Sequence, residues 1–412
     1  MTTPTIRQRS VELADVARAH AESFVDRFGP LPLQVLRALY DIVHCHTAAM
    51  GGHLELCRAC GVQRQAYNSC RNRHCPKCQG TARHNWVAAR EADLLPVPYF
   101  HVVFTLPHAL RPLALHNQRQ VCDLLFRTAA ATLKKVAADP RHLGANIGFT
   151  AVLHTWGQKL DLHPHLHCVV PAGGLSEDGT GRIHGDPQFF LPVRVMSSVF
   201  RAKFLEGLYH LDARGELRLE GQMRPWRSKG RFGIFLSRVK SSPWVVYSKP
   251  PFGGPRQVIR YLGRYTHRTA ISNSRLVAHN RGRVTFTYKD YSDDNRTKSM
   301  TLPGLEFLRR FAFHILPPGF VRIRHYGLLA NADRNQRLAR CRSLLVQSDM
   351  PLTEPAPDAE DTQPTPEPTA QSTPPPFRCP ECGSPQVEVR DVARRQWIAP
   401  IKLRTPALWD TS

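Results

Sequence analysis

IGFTAVLHTW (Ile147–Trp156) and HPHLHCVVPAGG (His163–Gly174) are the two stretches on which the reading of this chain turns. Both are rich in apolar and β-branched residues, and the second ends at Pro171 and a Gly173-Gly174 turn, so both read as strands. On a strand, His165 and His167 project from the same face, with backbones about 7 Å apart. Leu166 and Cys168 then point the other way, into a core. His154 stands at the end of the preceding strand. If the two strands pair antiparallel around the loop Gly157 to Pro164, His154 reaches the same point as the histidine pair. Three neutral imidazoles converging in this way suit a divalent ion that keeps positions open for a substrate oxygen. His163, in the loop before Pro164, is a spare. The plainer alternative is three hydrogen-bonded strand histidines near a surface. Tyr99 to Leu106 (YFHVVFTL) reads as a further strand of the same kind.

The whole chain has 412 residues, with 56 Lys+Arg against 33 Asp+Glu and a formal net charge of +23. Such an excess calls for a polyanionic partner, nucleic acid ahead of an anionic membrane surface. The membrane alternative lacks support, since the apolar runs are strand-sized and not about 20 residues long. Met1 to Phe28 has no apolar h-region and carries Glu12, Asp15, Glu22 and Asp26, so a cytoplasmic protein is expected. Composition divides the chain into four regions. Residues 1–95 hold a helical segment and a cysteine cluster, and residues 96–346 form the main globular domain. Residues 347–377 are Pro-, Thr- and Glu-rich, a composition that cannot offset its ordering entropy and is expected to be a disordered linker. Residues 378–412 form a short tail.

The eleven cysteines favour metal binding over disulfides in a reducing compartment. Cys57-x2-Cys60 and Cys75-x2-Cys78 have the spacing of two knuckles facing each other around a tetrahedral structural Zn²⁺. Gly61 suits the turn after the first knuckle. His53, Cys70 and His74 are spare ligands, and reduced cysteines without metal are the bland alternative. Arg58, Arg64, Arg71, Arg73, Lys77 and Arg83 surround the cluster and suit a module resting on phosphate. Cys379-x2-Cys382 is half a site, either completed from elsewhere or a remnant without metal.

Pro255 to His267, entered through Gly253-Gly254, reads as a helix with proline in its first turn. Tyr261 and Tyr265 fall one turn apart on one face. Val258, Tyr261, Leu262 and Tyr265 also fit an ordinary buried stripe. Beside them Arg256, Arg260, Arg264 and Arg268 recur every four residues without acidic partners in the helix. That ridge, with Lys249 ahead of it, suits a DNA phosphate backbone. A phenol is a poor nucleophile at its reference pKa near 10. Beside a metal that neutralises a phosphodiester oxygen, its attack becomes feasible.

With these residues in place, the sequence resembles the HUH endonuclease superfamily. Within it the chain is similar to the two-tyrosine rolling-circle insertion-sequence transposases that carry an N-terminal zinc-binding domain. The resemblance is carried by SCRNRHCPKCQ (Ser69–Gln79), FTLP (Phe104–Pro107), HPHLHCVVPAGG, WVVYSKPPFGGP (Trp244–Pro255), YLGRYTHRTAIS (Tyr261–Ser272) and RHYGLL (Arg324–Leu329). It implies an α+β fold, an antiparallel sheet flanked by helices, with the histidine pair on a central strand. It implies that His165 and His167 bind Mg²⁺ or Mn²⁺ and that Tyr261 and Tyr265 are nucleophiles forming 5′-phosphotyrosine links. His154 resembles the third histidine of conjugative relaxases. The implied partner is DNA, as single-stranded or hairpin element ends. The alternatives are a plasmid replication initiator or relaxase with the same chemistry, a zinc DNA-binding regulator without catalysis, and a metal-dependent hydrolase. The hydrolase would need a carboxylate base, for which Asp161 is the nearest candidate.

Overall fold

A computed structural model describes residues 10–228, 230–249, 256, 259–260, 263, 270–347 and 378–393. The Pro-rich stretch lies outside the described residues. The fold is α+β, and its centre is a five-stranded antiparallel sheet in the order β12-β4-β5-β3-β8. The strands are β3 (Tyr99–Thr105), β4 (Phe149–Trp156), β5 (Leu162–Pro171), β8 (Val245–Lys249) and β12 (Ile323–Tyr326). The β4–β5 hairpin has the expected antiparallel sense, with His154 opposite His165. All three sequence-read strands are therefore present and adjacent.

Alternation sorts each strand's residues between two faces. Phe100, Val102 and Phe104 of β3, Phe149, Ala151 and Leu153 of β4, and Leu166, Cys168 and Val170 of β5 share one buried core. Two long helices, α5 (Gln118–Ala138) and α6 (Val193–Ala213), cover that face. The buried stripe of α6 is Met196, Phe200, Phe204, Leu208 and Leu211, steps of four and three that keep one side against the sheet. Phe200 meets Phe104 edge-on, with ring centroids 5.0 Å apart. The opposite sheet face carries the histidines.

A second core lies elsewhere in the chain. Helices α1 (Leu13–Phe28) and α2 (Leu33–His44) pack with a three-stranded sheet, β9 (Leu276–Asn280), β10 (Arg283–Asp290) and β11 (Arg296–Pro303), and with α8 (Gly304–Ala312). Phe24, Leu39, Phe286, Phe307 and Phe311 are buried together there. The N-terminal helices thus share a core with residues far along the chain. Leu160, at the β4–β5 turn, inserts into the same core and is fully buried. It holds φ at 60°, a conformation costly for a branched side chain and sustained here by packing. The turn thereby ties the histidine hairpin to the second core. A third small cluster, including Leu95, Tyr99, Val169, Leu329 and Leu338, seats α9 (Arg334–Gln347).

The cysteine-bearing segment forms another three-stranded sheet, in the order β13-β1-β2. Its strands are β1 (Gly52–Cys57), β2 (Gln63–Tyr67) and β13 (Val387–Val392). The tail strand β13 pairs antiparallel with β1 from Gly52↔Val392 to Cys57↔Val387. Helix α3 (Gly80–Ala92) leads from this segment to β3.

Candidate active site and metal centres

The histidine face is built by register. Thr105, His165 and His154 stand in one row across β3, β5 and β4, and Val103, His167 and Val152 in the next. His154, His165 and His167 bring one donor atom each to within 4.8 Å of the others. An ion about 2.1 Å from each nitrogen spans up to about 4.2 Å between donors, so small side-chain rotations close the set on a cation.

Hydrogen bonding orients the pair on β5. The Nδ1 of His165 donates to the His163 carbonyl at 2.6 Å, and Nδ1 of His167 lies 2.8 Å from Nε2 of His101. Both contacts occupy Nδ1 and leave Nε2 as the ligand atom, the arrangement by which outer partners fix a ligating imidazole. Burial pushes His165 and His101 down to about 4, and drives His154 and His167 well below the usual histidine range. All four are neutral at pH 7, the protonation state that ligation requires. His163 supplies its carbonyl, not its ring, to this set. Sequence reading missed His101, although the alternation of YFHVVFTL already puts it on the polar face of β3.

The cleft over the histidines is lined by Arg111, Trp156, Lys159, Asp161, Lys289, Asp290 and Tyr291. Asp161 pairs with Arg111, and Asp290 binds Lys298 at 2.9 Å. Neighbouring Ser292 and Lys298 hold the Asp290 carboxyl at about 2. Both carboxylates are held in ion pairs, which disfavours the hydrolase alternative. Lys159 and Lys289 add positive charge suited to phosphate. Tyr291, 67% exposed, accepts a hydrogen bond from Gln158 at 3.2 Å and is a third phenol at the cleft.

Tyr261, Tyr265, Arg264 and Arg268 lie outside the described residues. Arg256, Ile259, Arg260 and Gly263 of the same stretch are described and helical, in keeping with the sequence reading. Ile259 is buried in a pocket with Trp86 and Arg90 of α3 and Thr150, Val169 and His325 of the histidine face. A methyl at Gly263 would meet Val87 of α3 at 2.2 Å. The ridge does have an acidic partner, from another helix: Arg260 pairs with Glu91 of α3 at 2.8 Å. Arg256 and Lys249 are exposed.

The four-cysteine set read from spacing is divided in the structure, and this is a correction. Cys75 and Cys78 converge with Cys45 and Cys70, whereas Cys57 and Cys60 converge with Cys379 and Cys382. Four sulfurs about 2.3 Å from one zinc lie about 3.8 Å apart. The Sγ–Sγ distances are 3.3 Å for Cys70–Cys78, 3.9 Å for Cys45–Cys78, 3.6 Å for Cys57–Cys382 and 3.7 Å for Cys60–Cys379. Backbone N–H groups point at the first set, from Cys70 to Cys45 Sγ at 3.5 Å and from Asn72 to Cys70 Sγ at 3.4 Å. Spacing misled because Cys60 and Cys75, with 14 residues between them, belong to different modules. Cys45, at the end of α2, has no CxxC signature that could have revealed it. His53 instead pairs with Glu55 at 2.9 Å, and His74 is buried beside Arg73. Arg73 is not a free phosphate contact either: its guanidinium donates to the carbonyls of Leu316, Pro317 and Phe320.

Two family models match the chain. One, described as "Transposase zinc-binding domain", covers residues 16–106, and the other, described as "Putative transposase", covers residues 148–337. A protein named "Putative transposase y4qJ" from Sinorhizobium fredii is 52% identical over 82% of this chain and 85% of its own length. The chain belongs to the IS91 family of insertion-sequence transposases. A second relative, "Transposase for insertion sequence element IS801" from Pseudomonas savastanoi pv. phaseolicola, is 30% identical over 83% of this transposase and 80% of its own length. Among solved structures, a metal-bound conjugative relaxase TrwC in complex with oriT DNA is 13% identical, covering 63% of this chain and 96% of that one. Its TM-score of 0.24 is too low to bear on the reading. The transposase is a DNA-processing protein with cysteine sets fit for structural zinc. Among its described residues no helix is long and apolar enough to cross a membrane.

Proposed function

We propose that this transposase nicks one DNA strand at His154, His165 and His167 and holds the 5′ end on a tyrosine, Tyr261 or Tyr265. The observation that carries the proposal is the convergence of three neutral histidines on an open cleft whose carboxylates are already paired. When bound there, Mg²⁺ or Mn²⁺ would neutralise a non-bridging phosphate oxygen. Lys159 and Lys289 would hold the flanking phosphates of a single-stranded or hairpin element end, with Lys249, Arg256, Arg264 and Arg268 extending that contact. Arg260, paired with Glu91, has less charge to offer. A phenol oxygen then forms a bond to phosphorus as the bond to the 3′ oxygen breaks; the phenolic proton leaves to solvent and the departing 3′ oxygen takes one from solvent to become a 3′-OH. The tyrosyl ester conserves the phosphodiester's energy, so a later 3′-OH rejoins the strand without a nucleotide cofactor. Two phenols allow a second strand to be cut while the first is held. The packing of Ile259 and Gly263 against α3 and the sheet supports a place for this segment beside the histidines.

The deciding experiment is a denaturing-gel assay for a protein–DNA adduct, using single-stranded element ends and Mn²⁺. Tyr261→Phe/Tyr265→Phe keeps both rings and removes only the hydroxyls, so stability changes by about 1 kcal/mol at most per lost hydrogen bond. Adduct formation should vanish in the double variant, while each single variant still forms one. Persistence of the adduct in a folded double variant refutes the assignment and turns attention to Tyr291.

A further inference from the structure

The tail of this chain does not match either family model, which end at residues 106 and 337. Yet its CPEC motif meets the N-terminal CRAC motif across 325 residues of sequence. We infer that Cys57, Cys60, Cys379 and Cys382 form a second, independent Zn²⁺ site, a two-knuckle ribbon that clasps the C-terminal tail to the N-terminal sheet.

Sulfur proximity is only the first support. The two knuckles are built alike. After Cys57 and Cys60 comes Gly61 with φ 74°, and after Cys379 and Cys382 comes Gly383 with φ 72°. The Gly61 N–H donates to the Cys57 carbonyl at 2.9 Å, and the Gly383 N–H to the Cys379 carbonyl at 2.8 Å. The N–H of Cys57 donates to Val62 at 3.0 Å, and that of Cys379 to Ser384 at 2.9 Å. Only glycine takes that left-handed turn readily, and the turn directs both sulfurs of a knuckle to one point. The strands β1 and β13 run from the two knuckles and pair along their length, which fixes the knuckles face to face. Arg58 reinforces the junction, donating its N–H to Gln386 at 2.9 Å and pairing through its side chain with Glu388.

The ligand chemistry selects the ion. Four thiolates in a tetrahedron suit Zn²⁺ and reject the hard ions Mg²⁺ and Ca²⁺. A closed set of four leaves no position for substrate, so the role is to hold structure. Three strands with exposed outer faces bury little, since only Cys57, Glu55 and Gly52 of β1 are well covered. A sheet so small needs a staple, and binding a metal supplies it.

Two measurements on the full chain, under reducing conditions, decide the matter. In Cys379→Ser/Cys382→Ser, zinc content by elemental analysis should drop by one ion per chain, while the zinc held by Cys45, Cys70, Cys75 and Cys78 stays. Independently, a site-specific protease sequence inserted between residues 355 and 370 lets the tail be severed from the body. The severed tail should co-elute with the body in gel filtration and dissociate when a zinc chelator is added. Unchanged zinc in the double variant overturns the inference. So does a tail that separates while zinc is present, or one that stays attached after chelation has removed the metal.

Discussion

His101 shows what a residue outside the ligand set contributes. It stands on β3 opposite Val169, and its Nε2 faces Nδ1 of His167 at 2.8 Å. For His167 to ligate through Nε2, its Nδ1 must carry the proton and donate it to His101. His101 must therefore be a neutral acceptor, and burial ensures this by pushing it down to about 4. Replacing His101 with Phe should weaken Mn²⁺ binding by about 10–100-fold, with His101→Gln recovering part of the loss through its amide oxygen. A Mn²⁺ titration of DNA nicking checks this, read as the metal concentration at half-maximal rate. Equal metal dependence in all three proteins would remove His101 from the site.

At the scale of elements, α3 is the piece on which the arrangement rests. Its N-terminal end follows the cysteines, its Glu91 pairs with Arg260, and its Arg90 approaches His325 at 3.1 Å. Its Val87 lies where any side chain at position 263 would go. Gly263→Ala should force α3 and the tyrosine-bearing stretch apart, costing about 1–3 kcal/mol by overpacking. Nicking of single-stranded DNA should fall at least tenfold while zinc content stays at the wild-type value. Wild-type nicking by Gly263→Ala would show that contact with α3 does not position the phenols. The helix also joins the cysteine-bearing segment to the histidine sheet, and Arg73 adds three contacts to the carbonyls of Leu316, Pro317 and Phe320.

Across the whole molecule, buried neutral histidines tie stability to pH. Burial pushes His314 in the second core, His325 on β12 and His101 on β3 down to about 4. In the unfolded chain each titrates near 6.5. Between pH 6.5 and about 4 the unfolded chain therefore holds more protons, and stability falls as pH falls. The histidine contribution is fully present above pH 6.5 and is lost on the way to about 4. A fully buried group such as His314 weakens the fold by at most about 1.4 kcal/mol for each pH unit in that window. Urea denaturation of the metal-free protein should give a midpoint constant from pH 7.5 to 7 and declining steadily from 6 to 5. A flat midpoint down to pH 5 would mean these histidines are not buried in the neutral form.

Three strands of the central sheet, the histidine pair and a polyanionic partner were legible in the residues alone. These follow from the apolar, β-branched runs IGFTAVLHTW and HLHCVV, from the i, i+2 spacing of His165 and His167, and from a charge of +23, signals local in the chain or independent of its folding. The sequence also determined which cysteines form a knuckle, because a CxxC turn closes within a few residues. Tertiary structure alone decided which knuckles share an ion. Cys57 lies nearer to Cys75 along the chain, but β13 pairs with β1 and brings Cys382 to 3.6 Å. Cys45 joined a site for a similar reason: the end of α2 comes to rest against the Cys70 loop. The same holds for Arg260, whose missing acid came from α3, and for Arg73, whose phosphate role gave way to three backbone carbonyls. A ligand set or an ion pair is a statement about distance in space, and spacing in sequence reports it only while the chain between stays short.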